Sequence, residues 1–182
     1  MINEDMPRRI FLDSSMLQTI QDYGEFLYEN ETILPTDPIH RDSKGIAKLD
    51  GLRNIMKVNE RALFEFAISH NSFKEVEAKG DLHYLQWAYD VLDHWLVCIS
   101  ESGEPCGDQQ SLQAIESDSF NCLSVPDKVL LRDAIALDCD VFLTMENKLP
   151  KCSAHIEKHL GIRIFSPDVL WVTLRKWAPL FY

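Results

Sequence analysis

Four acidic residues draw attention because of the company each keeps in the chain. Asp13 closes the apolar run Arg9-Ile-Phe-Leu, and Glu75 lies one turn into a helix that follows a second apolar run. Asp133 sits among apolar neighbours of a later helix, and Glu146 follows the run Val141-Phe-Leu-Thr144. Carboxylates gathered from distant segments offer hard oxygen donors, which Mg²⁺ and Mn²⁺ prefer. Without a cation such groups repel one another, and some would stay protonated near neutral pH. The chemistry within reach is that of a divalent cation held by acids at one shared edge.

Each acid also has a plainer reading. Asp13, between strand and helix, has the position of an N-cap. Glu75 completes a Ser-x-x-Glu capping box with Ser72, and Glu77 is the fallback for its place. Glu146 could be ordinary solvated surface. Asp133 is the most informative, because Val129, Leu130, Ala136 and Leu137, three and four positions away, are all apolar. That spacing puts its carboxylate on a buried face, where it needs a cation, a hydrogen-bond network or a raised pKa. Arg132 is adjacent in sequence and does not face it.

The elements that must position these residues alternate in type. A strand over Arg9–Asp13 leads into a helix carrying Met16, Leu17, Ile20, Phe26 and Leu27, then a loop over Asn30–Asp42 and a helix over Gly45–Val58. A second strand over Ala62–Ser69 precedes a helix starting at Ser72, and a long amphipathic helix over Asp81–Ile99 carries Trp87 and Trp95 on its apolar face. A weak helix near Gln109–Glu116 lies within an elaboration at about 100–124. Pro126 opens a helix running to about Asp138, Val141–Thr144 is a buried strand, and Cys152–Leu160 is a helix stopped by Gly161. Ile162–Phe165 is the last strand, and Ser166-Pro-Asp168 caps a final helix through Trp177. This alternation predicts an α/β fold, a three-layer α/β/α arrangement with a parallel central sheet. Such sheets bind ligands at the C-terminal ends of their strands.

The chain has 182 residues, of which 46% are hydrophobic and 26% charged. That predicts one domain over residues 1–182 with a single good core. No apolar run is long enough to cross a bilayer, and the first residues lack the core of a signal peptide, so a cytoplasmic protein with no membrane association is expected. The five cysteines are unpaired in spacing, which argues for reduced structural thiols and against a zinc site. The net charge of −11 runs against a nucleic-acid partner unless a basic patch or bound cations offset it. Arg8, Arg9, Lys44, Lys48, Lys148 and Lys151 are the candidates for such a patch.

Taken together, the residues resemble the PIN-domain family. Its pattern is an Asp after the first strand, a Glu opening a later helix, an Asp in the helix before the fourth strand, and a final strand-Thr-x-Asp. The most specific stretch runs from Leu130-Leu-Arg-Asp133 through Asp140-Val-Phe-Leu-Thr144-Met-Glu146 to Leu149, with Phe-Leu-Asp13-Ser14-Ser15 in support. The resemblance covers nearly the whole chain. It implies a PIN-like fold in which Asp13, Glu75, Asp133 and Glu146 are the catalytic, metal-binding residues for Mg²⁺ or Mn²⁺, with Ser14 and Thr144 as hydrogen-bonding supports at the substrate. Glu146 departs from the family's usual Asp by one methylene, and Cys139 stands where Gly is common.

The activity implied is metal-dependent endoribonuclease-like hydrolysis of phosphodiester bonds in RNA, with single-stranded RNA as one candidate form of the substrate. The family's toxin–antitoxin members imply an antitoxin or other regulatory protein as partner, and a homodimer remains open. The alternative is a catalytically degenerate PIN-like module acting in protein or nucleic-acid binding. A phosphatase-type enzyme with Asp13 as nucleophile is disfavoured, because Asp13-Ser14-Ser15 lacks the Asp-x-Asp spacing.

Overall fold

A computed structural model describes residues 6–78, 80–83, 85–88, 109–121 and 123–181. Its centre is a four-stranded sheet of β1 (Arg9–Leu12), β2 (Glu65–Ala67), β3 (Val141–Leu143) and β4 (Arg163–Phe165). The strands are all parallel, in the order β2-β1-β3-β4, with Phe11 opposite Ala67 on one side and Phe142 on the other. Eight α-helices surround it among the described residues. They are α1 (Ser14–Asp22), α2 (Gly24–Tyr28), α3 (Gly45–Ala62), α4 (His70–Ala78), α5 (Gln109–Ala114), α6 (Val125–Ala136), α7 (Ser153–Leu160) and α8 (Pro167–Leu174).

The two-residue period of a strand sorts the core into two halves. Ile10, Leu12, Phe66, Val141 and Leu143 join one apolar cluster, with α1, α2, α3 and α8 over them. Phe11, Ala67, Phe142 and Ile164 join the other, beneath α5, α6 and α7. Helices therefore cover both faces, as the continuous apolar runs of the strands require. Gly51 lets α3 approach α8: a Cβ there would lie 2.6 Å from the Pro167 carbonyl oxygen. Gly161 ends α7 at φ 72°, a left-handed cap that glycine adopts without strain.

Several local expectations change. The first helix breaks at Tyr23 into α1 and α2, where the Tyr23 backbone leaves the helical region at φ −119° and ψ 24°. The fourth helix starts at His70, before Ser72, because the Ser69 hydroxyl takes the capping role and accepts from the Ser72 backbone N–H. The predicted Ser72–Glu75 capping box therefore does not form. A capping box forms instead at α6, between Ser124 and Asp127. Asp138 adopts φ 55° beyond that helix, and α8 stops at Leu174 rather than reaching Trp177. Ser166 stands at the N-cap of α8, but its hydroxyl donates to the Asp168 carboxylate rather than accepting a helix N–H. Trp87 packs partly buried against the first apolar cluster. Trp95, Cys98, Cys106, Cys122 and residues 100–108 of the predicted elaboration lie outside the described residues. No helix among the described residues is long and apolar enough to cross a membrane.

Candidate functional site

The strand order has a switch point. From β1 the chain crosses to β2 on one side, whereas β3 and β4 lie on the other. Loops leaving β1 and β3 therefore diverge, opening a crevice beyond their C-terminal ends. A cavity of about 400 Å³ occupies that crevice. Asp13 and Ser14 enter it from the end of β1, Thr144 and Glu146 from the end of β3, and Glu75 from α4. Asp127 joins them from the first turn of α6, with Leu130, Phe142 and Leu149 forming an apolar floor. Lys148 is the one cationic side chain among the lining residues.

Asp13 is the organising group. It is 6% exposed and is the N-cap of α1, its Oδ1 accepting the Met16 backbone N–H at 2.8 Å. The same oxygen accepts the Ser15 hydroxyl at 2.7 Å. Ser15 Oγ in turn accepts the Met145 backbone N–H at 3.1 Å, and Thr144 Oγ1 accepts that of Glu146 at 3.0 Å. The Ser15–Met145 bond ties the two divergent loops together, and the Thr144–Glu146 bond shapes the turn after β3. Burial pushes the Asp13 carboxyl up to about 6, against hydrogen bonds from Thr144, Ser15 and Met16 that favour its charged form; the Glu146 charge adds to the rise.

Glu75 accepts the Ser14 hydroxyl, so the residue expected to support substrate instead fixes a carboxylate. Asp133 differs most from expectation. It is only half-buried, it does not line the cavity, and its Oδ2 accepts the Asn71 side-chain amide at 2.8 Å. Asn71 lies one helical turn before Glu75 on α4, so Asp133 borders the acidic wall through it. Arg132 points elsewhere and pairs with Glu116.

The basic candidates disperse. Arg8 pairs with Asp138 and Arg9 with Glu65, both at the N-terminal end of the sheet, opposite the cavity. Lys48 is buried and paired with Asp42. Only Lys148 reaches the cavity.

Sequence reasoning gave no site role to Asn71, Asp42 or Asn147, quoted Ser15 only in support of the resemblance, and placed Lys48 in a basic patch. Ser15 adjoins the singled-out Asp13-Ser14, and Asn71 stands four residues before Glu75. Lys48 carried the clearest signal: Gly45, Gly51 and Leu52, at helical spacing around it, mark a buried stripe.

The donor set is chemically suited to a hard cation, since it consists of carboxylates and hydroxyls in a polar, partly buried cavity. Among the described residues, no group of three or more histidine, cysteine or acidic side chains stands close enough to hold a metal ion as placed. Comparison with family models, curated proteins and solved structures returns no match for this chain.

Proposed function

We propose that the chain is a PIN-like, metal-dependent hydrolase of phosphodiester bonds in RNA, acting at the cavity beyond β1 and β3. The observation that supports it is the meeting of Asp13, Glu75 and Glu146, from three distant segments, around one cavity at the topological switch point. Those three line one cavity and would hold Mg²⁺ or Mn²⁺ once their side chains draw closer together than they stand here, and Asp133 would act from the rim through Asn71. The cation would supply a more acidic bound water and neutralise charge developing on phosphate.

The chain's own residues do the rest. Ser15 and the Met16 N–H fix the Asp13 carboxylate in one orientation, and Ser14 does the same for Glu75. Among the described residues lining the cavity, Lys148 offers the one positive charge to a phosphate. With a net charge of −11, that lysine and a cation held by the acids would supply attraction for a polyanion at the cavity. The apolar floor of Leu130, Phe142 and Leu149 gives a nucleobase a dry surface.

The test is incubation of single-stranded RNA with Mg²⁺ or Mn²⁺ and either the wild-type protein or Asp13→Asn. Cleavage by the wild type alone supports the reading; equal cleavage by both, or none with either metal, defeats it. The second reading, a PIN-like binding module without catalysis, draws on the exposed Glu146 and on the finding that no three acids among the described residues stand close enough to hold a metal ion as placed. Calorimetric titration with Mn²⁺ separates the two, because a degenerate module has no reason to bind it.

A further inference from the structure

The largest charged side chain in the core belongs to none of the acids. Lys48, on α3, is 1% exposed, and its ammonium donates to three acceptors: Asp42 Oδ2 at 2.7 Å, the Met145 carbonyl at 2.6 Å and Asn147 Oδ1 at 2.9 Å. Three donors meet three acceptors, so the group is fully satisfied. Two of the acceptors flank Glu146. The same segment is held from its other side by Ser15 and Thr144, which accept the Met145 and Glu146 backbone N–H groups. Asn147 also donates to Asp42 Oδ2 at 3.3 Å, closing a ring of contacts around the ammonium.

We propose that Lys48 is a positioning residue for the acidic cavity: its buried ammonium fixes the path of Met145–Asn147 and so holds Glu146 in the wall it shares with Asp13. The inference rests on reading that cavity as the site. Its physical basis is that burying an ammonium is costly unless the geometry is well matched, so the acceptors cannot drift without leaving a buried charge unpaired. Apart from the Ser15 and Thr144 bonds, the loop has little side-chain packing to define it, since Glu146, Asn147 and Lys148 are all exposed. The Lys48 bond to Asp42 is the main reason that carboxyl is held below the usual range, so the clamp keeps its charged form. A lysine hidden in α3 thereby substitutes for the packing that the loop lacks.

The experiment is amide hydrogen exchange and Mn²⁺ titration on the full chain, comparing wild type, Lys48→Met and Asn147→Ala. Asn147 is exposed, so its truncation spares the core even if Lys48→Met folds poorly. Exchange at Met145 and Glu146 is expected to rise roughly tenfold or more in either variant, while Thr144, bonded to the Phe165 carbonyl within the sheet, keeps its protection. Mn²⁺ affinity should fall about 10-fold, as for other residues that orient ligands from behind. In a Glu146→Gln background the same substitutions should leave Mn²⁺ affinity unchanged, a result that a general loss of stability would not give. Unchanged exchange at Met145 and Glu146, or equal loss at Thr144, overturns the proposal. If the wild type binds no Mn²⁺, the hydrolase reading fails on its own, and the exchange pattern still decides whether Lys48 sets the loop.

Discussion

The Asn71 side-chain amide donates to Asp133 across 2.8 Å, joining α4 to α6 at the rim of the acidic cavity. A carboxylate expected to face inward among apolar neighbours is thus held at a helix–helix contact by a neutral donor. Asn71 and Glu75 share a face of α4, so the bond also fixes the helix that delivers Glu75.

Asp133→Ala should therefore cost stability and activity unequally. Loss of the bond leaves the half-buried Asn71 amide without its carboxylate, worth about 1–2 kcal/mol. Urea denaturation should show a lowered midpoint with unchanged slope. RNA cleavage should drop less than in Asp13→Asn, whose carboxylate lines the cavity itself.

Asp13 gives the fold a pH signature. Its folded-state pKa of about 6 lies above the ordinary 3.8, so between those values the native state binds the extra proton and stability falls as pH rises. The shift corresponds to roughly 3 kcal/mol of destabilisation, absent below pH about 3.8 and fully developed above pH about 6. Asn keeps the N-cap acceptor without the charge. Asp13→Asn should match the wild type in Tm near pH 3.5 and exceed it by several degrees at pH 7.5 without metal, while losing cleavage. Equal melting temperatures across that range would contradict the burial assigned to Asp13.

Lys148→Ala should raise KM for RNA and leave kcat nearly unchanged, because an exposed lysine binds phosphate equally in ground and transition states. The slope of log affinity against log salt should become shallower by about 1. A fall in kcat with constant KM would move Lys148 into the chemistry.

Gly51→Ala tests the packing that sets α3, and with it Lys48. A Cβ at 2.6 Å from the Pro167 carbonyl oxygen and 2.7 Å from the Asp168 nitrogen meets backbone on α8, which has no rotamer to yield. Thermal denaturation should report a loss of about 1–3 kcal/mol, whereas the usual Gly-to-Ala change inside a helix stabilises it.

The sequence by itself determined the elements and the edge. Apolar runs of strand length alternating with amphipathic helices specify a parallel sheet, and the acids and hydroxyls at the ends of those runs, Asp13, Thr144 and Glu146, fall at its C-terminal rim because strand direction is shared. Those relations are local, or follow from chain direction alone. Which side chains face one another was decided by the tertiary structure. Glu75 bonds Ser14 rather than Ser72, Asp133 meets Asn71 rather than the cavity, and Lys48 is enclosed rather than displayed to RNA. Each depends on the angle and depth at which one helix packs against another element, and a half-turn of rotation exchanges a cavity wall for a helix contact without altering any periodicity in the chain.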